Sequence, residues 1–223
     1  MSREHLVSKA LFPDQVVHVS GFKWCEGEER RVGVNSLQRR FLCVKHNNDL
    51  SPADDAAVQA ISAFAAGVSQ APLRGLLLER WFVKTAINLS VGSELHIGCG
   101  MTDSKPSWPS PYLLAVAFGD LSLSAKMGAY FVFPRGSYVH RVGEIVVVPV
   151  HQSGAIGGFL FALRGQFVFL NLFPGHAPPP IDKWFPEFLP ETSSAAALVY
   201  RPNAISVQVG GGAHNTIQLQ WPQ

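Results

Sequence analysis

PLRGLLLERWFVKTAINLSVG, residues 72–92, is the stretch whose reading decides the fold. Pro72 suits the opening of a helix and Gly92 its end. Between them Leu73, Leu76, Leu77, Trp81, Val83 or Lys84, Ile87 and Val91 spread apolar groups round much of the circumference. A surface helix keeps one apolar stripe; this one is expected between layers, docking the amino-terminal segment onto the carboxy-terminal one. Immediately upstream, residues 51–68 predict a second helix. Ser51 suits an N-cap, Pro52 the first turn, and Asp54 and Asp55 oppose the positive end of the helix dipole. Ala57, Ile61, Phe64, Ala65 and Val68 then recur at steps of three and four.

Beyond the long helix the texture changes. Short apolar runs separated by Gly, Pro, Asn and Ser predict strands at Glu94–Ile97, Tyr112–Phe118, Leu121–Ala125, Ala129–Phe133, Glu144–Val150, Phe159–Leu163, Gln166–Leu172, Ala197–Tyr200, Ile205–Val209 and Thr216–Trp221. Arg164-Gly165 and Gly210-Gly211-Gly212 read as hairpin turns, and Lys105–Pro111 and Phe173–Pro190 as long loops. The expected class is α+β. A small module over residues 1–50 is succeeded by a two-helix connector over 51–92 and an antiparallel β-sandwich or barrel-like domain over 93–223.

Composition narrows the setting. The chain is 47% hydrophobic and only 15% charged, against roughly 25% charged in an average soluble domain. A surface so poor in charge is expected to meet a partner or a second copy of itself, giving a homo-oligomer. No apolar run reaches the roughly 18 residues of a membrane span, so no membrane partner is expected. The start, Met1-Ser2-Arg3-Glu4-His5, has no apolar signal-peptide core. Three scattered cysteines, Cys25, Cys43 and Cys99, make a poor disulfide framework, and a cytoplasmic location is expected. Net charge is +2, and it gathers at one end. Residues 1–49 hold eight Lys/Arg against six Asp/Glu, while the rest of the chain holds ten of each. Arg30, Arg31, Arg39, Arg40 and Lys45 lead that surplus as candidate phosphate contacts to nucleic acid.

The same segment holds the residues with chemistry. Arg3-Glu4-His5-Leu6-Val7 sets an acid beside a histidine, and Leu42-Cys43-Val44-Lys45-His46-Asn47-Asn48 places a Cys-x-x-His-Asn knuckle about forty positions later. A carboxylate and an amide oxygen can share one divalent cation against a phosphate, and an imidazole beside them can take a proton from water. From Arg3 to about Asp54 the chain resembles the HNH (ββα-metal) endonuclease family, in its variants ending in a Cys-x-x-His-Asn knuckle. The resemblance implies His5 as general base, Glu4 and Asn47 as ligands of a magnesium or manganese ion, and Asn35 as the middle asparagine. It also implies a structural zinc at Cys43 and His46. The family's upstream Cys-x-x-Cys pair has no counterpart, since only three residues precede Glu4, so that ligand set is incomplete. Asn35 lies eight residues before Cys43, where five is commoner in the family.

Other features read as structural. His96 and Cys99, His140, His151 and His176 are expected as surface or core residues, and Trp108, Trp184, Phe185 and Trp221 as core. No Gly-x-Ser-x-Gly nucleophile elbow occurs. The expected function is hydrolysis of phosphodiester bonds by a metal-dependent nucleic-acid endonuclease or its degenerate descendant. The alternative is a non-catalytic binding or self-assembling protein whose β-rich domain holds a ligand or partner.

Overall fold

Helix α3, Gly75–Ser93, is the axis of the molecule, and every position from Trp81 to Ser90 is buried. The computed structural model describes residues 2–12, 16–19, 28, 30–93, 97, 110–133, 145–152, 155–175, 178, 197–209 and 212–222. Before α3 come strands β1 (Ser2–His5), β2 (Val16–Val19), β3 (Arg30–Gly33) and β4 (Gln38–Leu42). Helices α1 (Val44–Asp49) and α2 (Ser51–Ala66) and the short strand β5 (Leu73–Arg74) complete that half. After α3 come α4 (Pro111–Phe118), β6 (Gly128–Phe133), β7 (Ile145–Gln152), β8 (Ala155–Leu163) and β9 (Gln166–Asn171). The chain ends with β10 (Ala197–Tyr200), β11 (Ala204–Gln208) and β12 (His214–Gln220). The class is α+β, with antiparallel sheets. No helix among the described residues is long and apolar enough to cross a membrane.

The main sheet has the order β10-β6-β9-β8-β7, antiparallel throughout. Its side chains alternate between two faces, as a period of two demands. Ala129, Phe131, Phe159, Phe161, Leu163, Val168 and Leu170 belong to the core that contains α3. Phe161 meets Phe82 at 4.7 Å and Trp81 at 5.9 Å between ring centroids, in tilted arrangements that aromatic quadrupoles favour. Tyr130, Val132, Val150, Leu160, Phe167 and Phe169 form a second apolar cluster on the opposite face. Pro149 sits in β7, the edge strand, where a missing N–H costs no central ladder bond. The first core also contains Leu6, Leu11, Leu37, Ala57, Phe64, Ile205 and Leu219, so it reaches from the amino-terminal strands to the last one.

Turns obey local chemistry. Arg164 and Gly165 have φ of 46° and 88°, and β8 and β9 pair across them. Two left-handed residues match the twist of the flanking strands. Strands β11 and β12 pair antiparallel from Ala204↔Gln218 to Gln208↔His214, and Gly210 and Gly211 of the triple glycine lie outside the described residues. β12 then runs parallel to β5, with Leu219 opposite Leu73, which returns the end of the chain to the start of α3. There the Trp221 ring covers Gly75 so closely that a Cβ would lie 2.6 Å from it.

Four expectations are corrected. Pro72 does not open the long helix and Gly92 does not end it: Leu73–Arg74 is strand β5, paired with β12, and α3 runs Gly75–Ser93. Tyr112–Phe118 is helix α4 and not a strand. Pro111 opens it, Gly119 closes it at φ 91°, and Leu113, Val116 and Ala117 bury one face at helical spacing. A short, wholly apolar run carries no period, so strand and helix cannot be told apart from it. Leu121–Ala125 forms no ladder. The Tyr112 hydroxyl donates to the Ser122 carbonyl (3.0 Å) and accepts from the Ser124 N–H (2.6 Å), occupying its backbone locally. Ser51 does not cap α2, because Leu50 ends α1 and opens α2 in one residue, leaving Ser51 within the first turn. Residues 94–96, 105–109 and most of Phe173–Pro190 lie outside the described residues, as do Cys25, His96, Cys99, Trp108, His140, His176, Trp184 and Phe185.

The two charged side chains fully buried on α3, Glu79 and Lys84, are both paired. Glu79, 1% exposed, takes the Arg201 guanidinium on both oxygens, Nη2 at 2.5 Å and Nε at 3.0 Å, and accepts the Ala129 N–H at 2.9 Å. A forked guanidinium matches a carboxylate in this bidentate manner. Arg201 also lies over the Tyr200 ring at 4.9 Å and the Trp221 ring at 5.6 Å. Burial disfavours its charge, but the Glu79 hydrogen bond and field outweigh that and raise its pKa. Gly128, at φ 129°, leaves room for the carboxylate, since a Cβ there would stand 2.5 Å from Glu79 Oε2.

Glu79→Ala strands Arg201 and the Ala129 N–H, and we expect it to destabilise the fold by about 3–5 kcal/mol in urea unfolding. A second outcome concerns alkali. Burial raises the Tyr130 and Tyr200 phenols above their ordinary 10.0, with Arg201 pulling the other way. The unfolded chain therefore releases these protons first, so their contribution is whole below pH 10 and is lost as pH rises through the folded values. Phenolate absorbance should lag behind that of the urea-unfolded chain, and thermal stability should fall over the same window.

Candidate functional site

Strands β1 and β4 pair antiparallel, with Glu4 opposite Arg39 and His5 opposite Gln38. The chain leaves β4 at Leu42, turns at Cys43 and enters α1, which packs against β1 and α2. His5 ends the first strand, and Asn47 stands in the middle of the neighbouring helix. These are the two elements that carry the residues expected, from the family resemblance, as base and last cation ligand.

His5 is half-buried and held from two sides. Its Nε2 lies 2.7 Å from Gln38 Nε2. An amide N–H donates, so the imidazole accepts there and carries its own proton on Nδ1. Its carbonyl oxygen accepts from Asn88 Nδ2 at 3.2 Å. Asn88 comes from α3, 83 positions along the chain, and is 3% exposed. Sequence reasoning missed it. The available signal was an amide inside a helix read as apolar on several sides, since a buried amide must find a partner.

Cys43 caps α1. Its sulfur accepts from the His46 N–H at 3.5 Å and stands 3.4 Å from His46 Nδ1. Both residues are exposed. With zinc bonds of about 2.3 Å to sulfur and about 2.0 Å to nitrogen, two ligands on one tetrahedral edge lie about 3.5 Å apart. The pair therefore has the spacing of half a zinc site. The His46 ring also leans on Phe118 of α4, 5.3 Å between centroids. Among the described residues, no three His, Cys, Asp or Glu side chains come together as a cation cluster.

The remaining candidates lie on separate elements. Asn35 is exposed in the 3-10 turn Val34–Ser36. Asn47 is half-buried, and its N–H bonds the Cys43 carbonyl at 3.0 Å. Arg30 and Arg31 are exposed on β3, whose partner β2 lies beside β7. Lys45 is exposed in the first turn of α1. The side chains of Glu4, Arg39 and Arg40 lie outside the described residues, although their backbones belong to β1 and β4.

A polar group that the motifs did not announce lies behind His5. Ser8 Oγ donates to Asp54 Oδ1 and accepts from Trp81 Nε1 at 3.0 Å. Lys84 Nζ, on a side chain 3% exposed, donates to Asp54 Oδ2 at 2.7 Å. Asp54, read from the sequence as a helix-dipole residue, is here the hinge of a network across three segments.

Compared with protein-family models, curated proteins and solved structures, the chain matches none.

If Cys43 and His46 chelate zinc, the metal should shield the thiol. We expect alkylation of Cys43, measured by mass spectrometry, to slow several-fold on adding zinc and to recover with a chelator. An unchanged rate removes this pair as a zinc site.

Proposed function

We propose that this protein is a metal-dependent nucleic-acid endonuclease of the HNH type, or a descendant of one, hydrolysing phosphodiester bonds. The observation that carries the reading is the packing of α1 against β1, which sets the His5 strand beside the Asn47 helix. Exposed Arg30 and Arg31 on β3 and Lys45 on α1, all before α3 in the chain, offer positive charge for a phosphate backbone.

In this reading the donor types sort by hardness. Glu4 and Asn47 offer oxygen, which suits magnesium or manganese, whereas Cys43 and His46 offer sulfur and nitrogen, which suit zinc. A bound magnesium or manganese ion would stabilise charge on the scissile phosphate. His5 takes the proton of the attacking water. The Gln38 amide occupies the Nε2 lone pair, so abstraction through that nitrogen requires Gln38 to yield it to water. Asn88 keeps the His5 backbone in place while the ring changes partners. Homo-oligomer formation and a cytoplasmic setting accompany the reading as expectations from the low charge and scattered cysteines.

A second reading is a non-catalytic binding protein. Strand β10, at one end of the main sheet, exposes Val199 and Tyr200, and an exposed edge strand is a template for pairing with another chain.

Plasmid nicking with magnesium or manganese tests the enzyme. We expect nicking by the wild type and a loss of about a hundredfold or more in His5→Ala, in line with removal of a general base. Nicking that survives His5→Ala removes His5 from the role. No nicking by a folded, cation-supplied wild type leaves the binding reading.

A further inference from the structure

Trp81, Lys84 and Asn88 are spaced three and four residues apart, so they share one face of α3. All three are buried, and each spends its polar group on the same neighbourhood. Trp81 Nε1 reaches Ser8 Oγ at 3.0 Å, Lys84 Nζ reaches Asp54 Oδ2 at 2.7 Å, and Asn88 Nδ2 reaches the His5 carbonyl at 3.2 Å. Asp54 closes the group by accepting from Ser8 Oγ. The segment from His5 to Ser8 is thus pinned at both ends by one helix, and Leu6 and Val7 between the pins are 3% and 2% exposed.

A buried lysine and a buried asparagine, with a half-buried aspartate between helix and strand, are an expensive way to dock a strand, since apolar side chains of similar size serve as well. What the polar set adds is direction. Each hydrogen bond fixes a donor–acceptor line, whereas apolar contacts tolerate sliding. We propose that Trp81, Lys84 and Asn88, acting through Ser8 and Asp54, form a positioning stripe that sets the placement of the His5 imidazole. The proposal rests on the nuclease reading for its purpose, and none of the three touches substrate. Gln38 orients the ring from the strand side, and the stripe fixes the backbone that carries it.

The full chain is tested in two ways, by plasmid nicking with manganese and by the NMR signals of the His5 imidazole. Asn88→Leu keeps the volume and deletes the donor. Ser8→Ala deletes the hydroxyl that joins Trp81 to Asp54, and Ser8→Thr restores it. We expect Asn88→Leu and Ser8→Ala to lower kcat about tenfold to a hundredfold with KM nearly unchanged, as for a misplaced reacting group. The His5 ring resonances should broaden or split in both variants, and Ser8→Thr should recover activity and a single sharp signal. Folded Asn88→Leu and Ser8→Ala proteins with wild-type kcat and an unaltered His5 signal overturn the stripe. A wild type that nicks nothing overturns the nuclease reading alone, and the His5 signals then decide the stripe by the same criterion. If Asn88→Leu fails to fold, the contrast between Ser8→Ala and Ser8→Thr decides it.

Discussion

A helix packed between layers must find partners for the charges and amides it buries, and α3 buries several. Its interior positions include Glu79, Lys84 and Asn88, none more than 3% exposed. An unpaired charge or amide at such a depth costs several kcal/mol in order of magnitude, more than most single contacts return. Each group is answered from a different part of the chain. Arg201 and β6 answer Glu79, Asp54 of α2 answers Lys84, and the end of β1 answers Asn88. Apolar packing alone would hold these layers against α3 without deciding how far each slides along it. The buried polar groups set that register.

The two ends of α3 serve different tasks. Near its start, Glu79 and Arg201 join the helix to the main sheet, and Trp221 stacks on Gly75 where β12 meets β5. That end is tied by a charge pair and close ring contacts. Nearer its far end, Lys84 bonds Asp54, the acceptor of Ser8, and Asn88 bonds His5. A histidine at the end of a two-stranded ribbon would otherwise be poorly fixed, because such ribbons are only marginally stable by themselves. The helix supplies the rigidity that the small amino-terminal strands lack.

Cys43, His46 and Asn47 all stand on one short helix, Cys43 as its cap. Cys43 and His46 converge at the mouth of α1, in solvent, with a spacing set by the cap geometry of the helix itself. Asn47 comes one residue later and is half-buried, so it lies on a different side of the helix from solvent-facing His46. Successive helical residues diverge by about 100°, which sets Asn47 apart from His46, while it stays on the side of Cys43, four residues before it, whose carbonyl its N–H bonds.

Periodicity and composition by themselves determined the class, the bodies of both long helices, most strands of the main sheet and the hairpin at Arg164-Gly165, because these depend on contacts between near neighbours. The acid-histidine pair and the Cys-x-x-His spacing were equally legible, since a Cys at a helix cap and a His three residues on meet by local geometry. The helical state of Tyr112–Phe118 was not, because a continuous apolar run has no period to read. Nor were the partners of Glu79, Lys84 and Asn88. Buried polar groups choose partners by proximity in space, and those partners lie 122, 30 and 83 positions away along the chain. Only the packed structure could bring Asn88 to His5 and turn Asp54 from a helix-end charge into the link between a serine and a buried lysine.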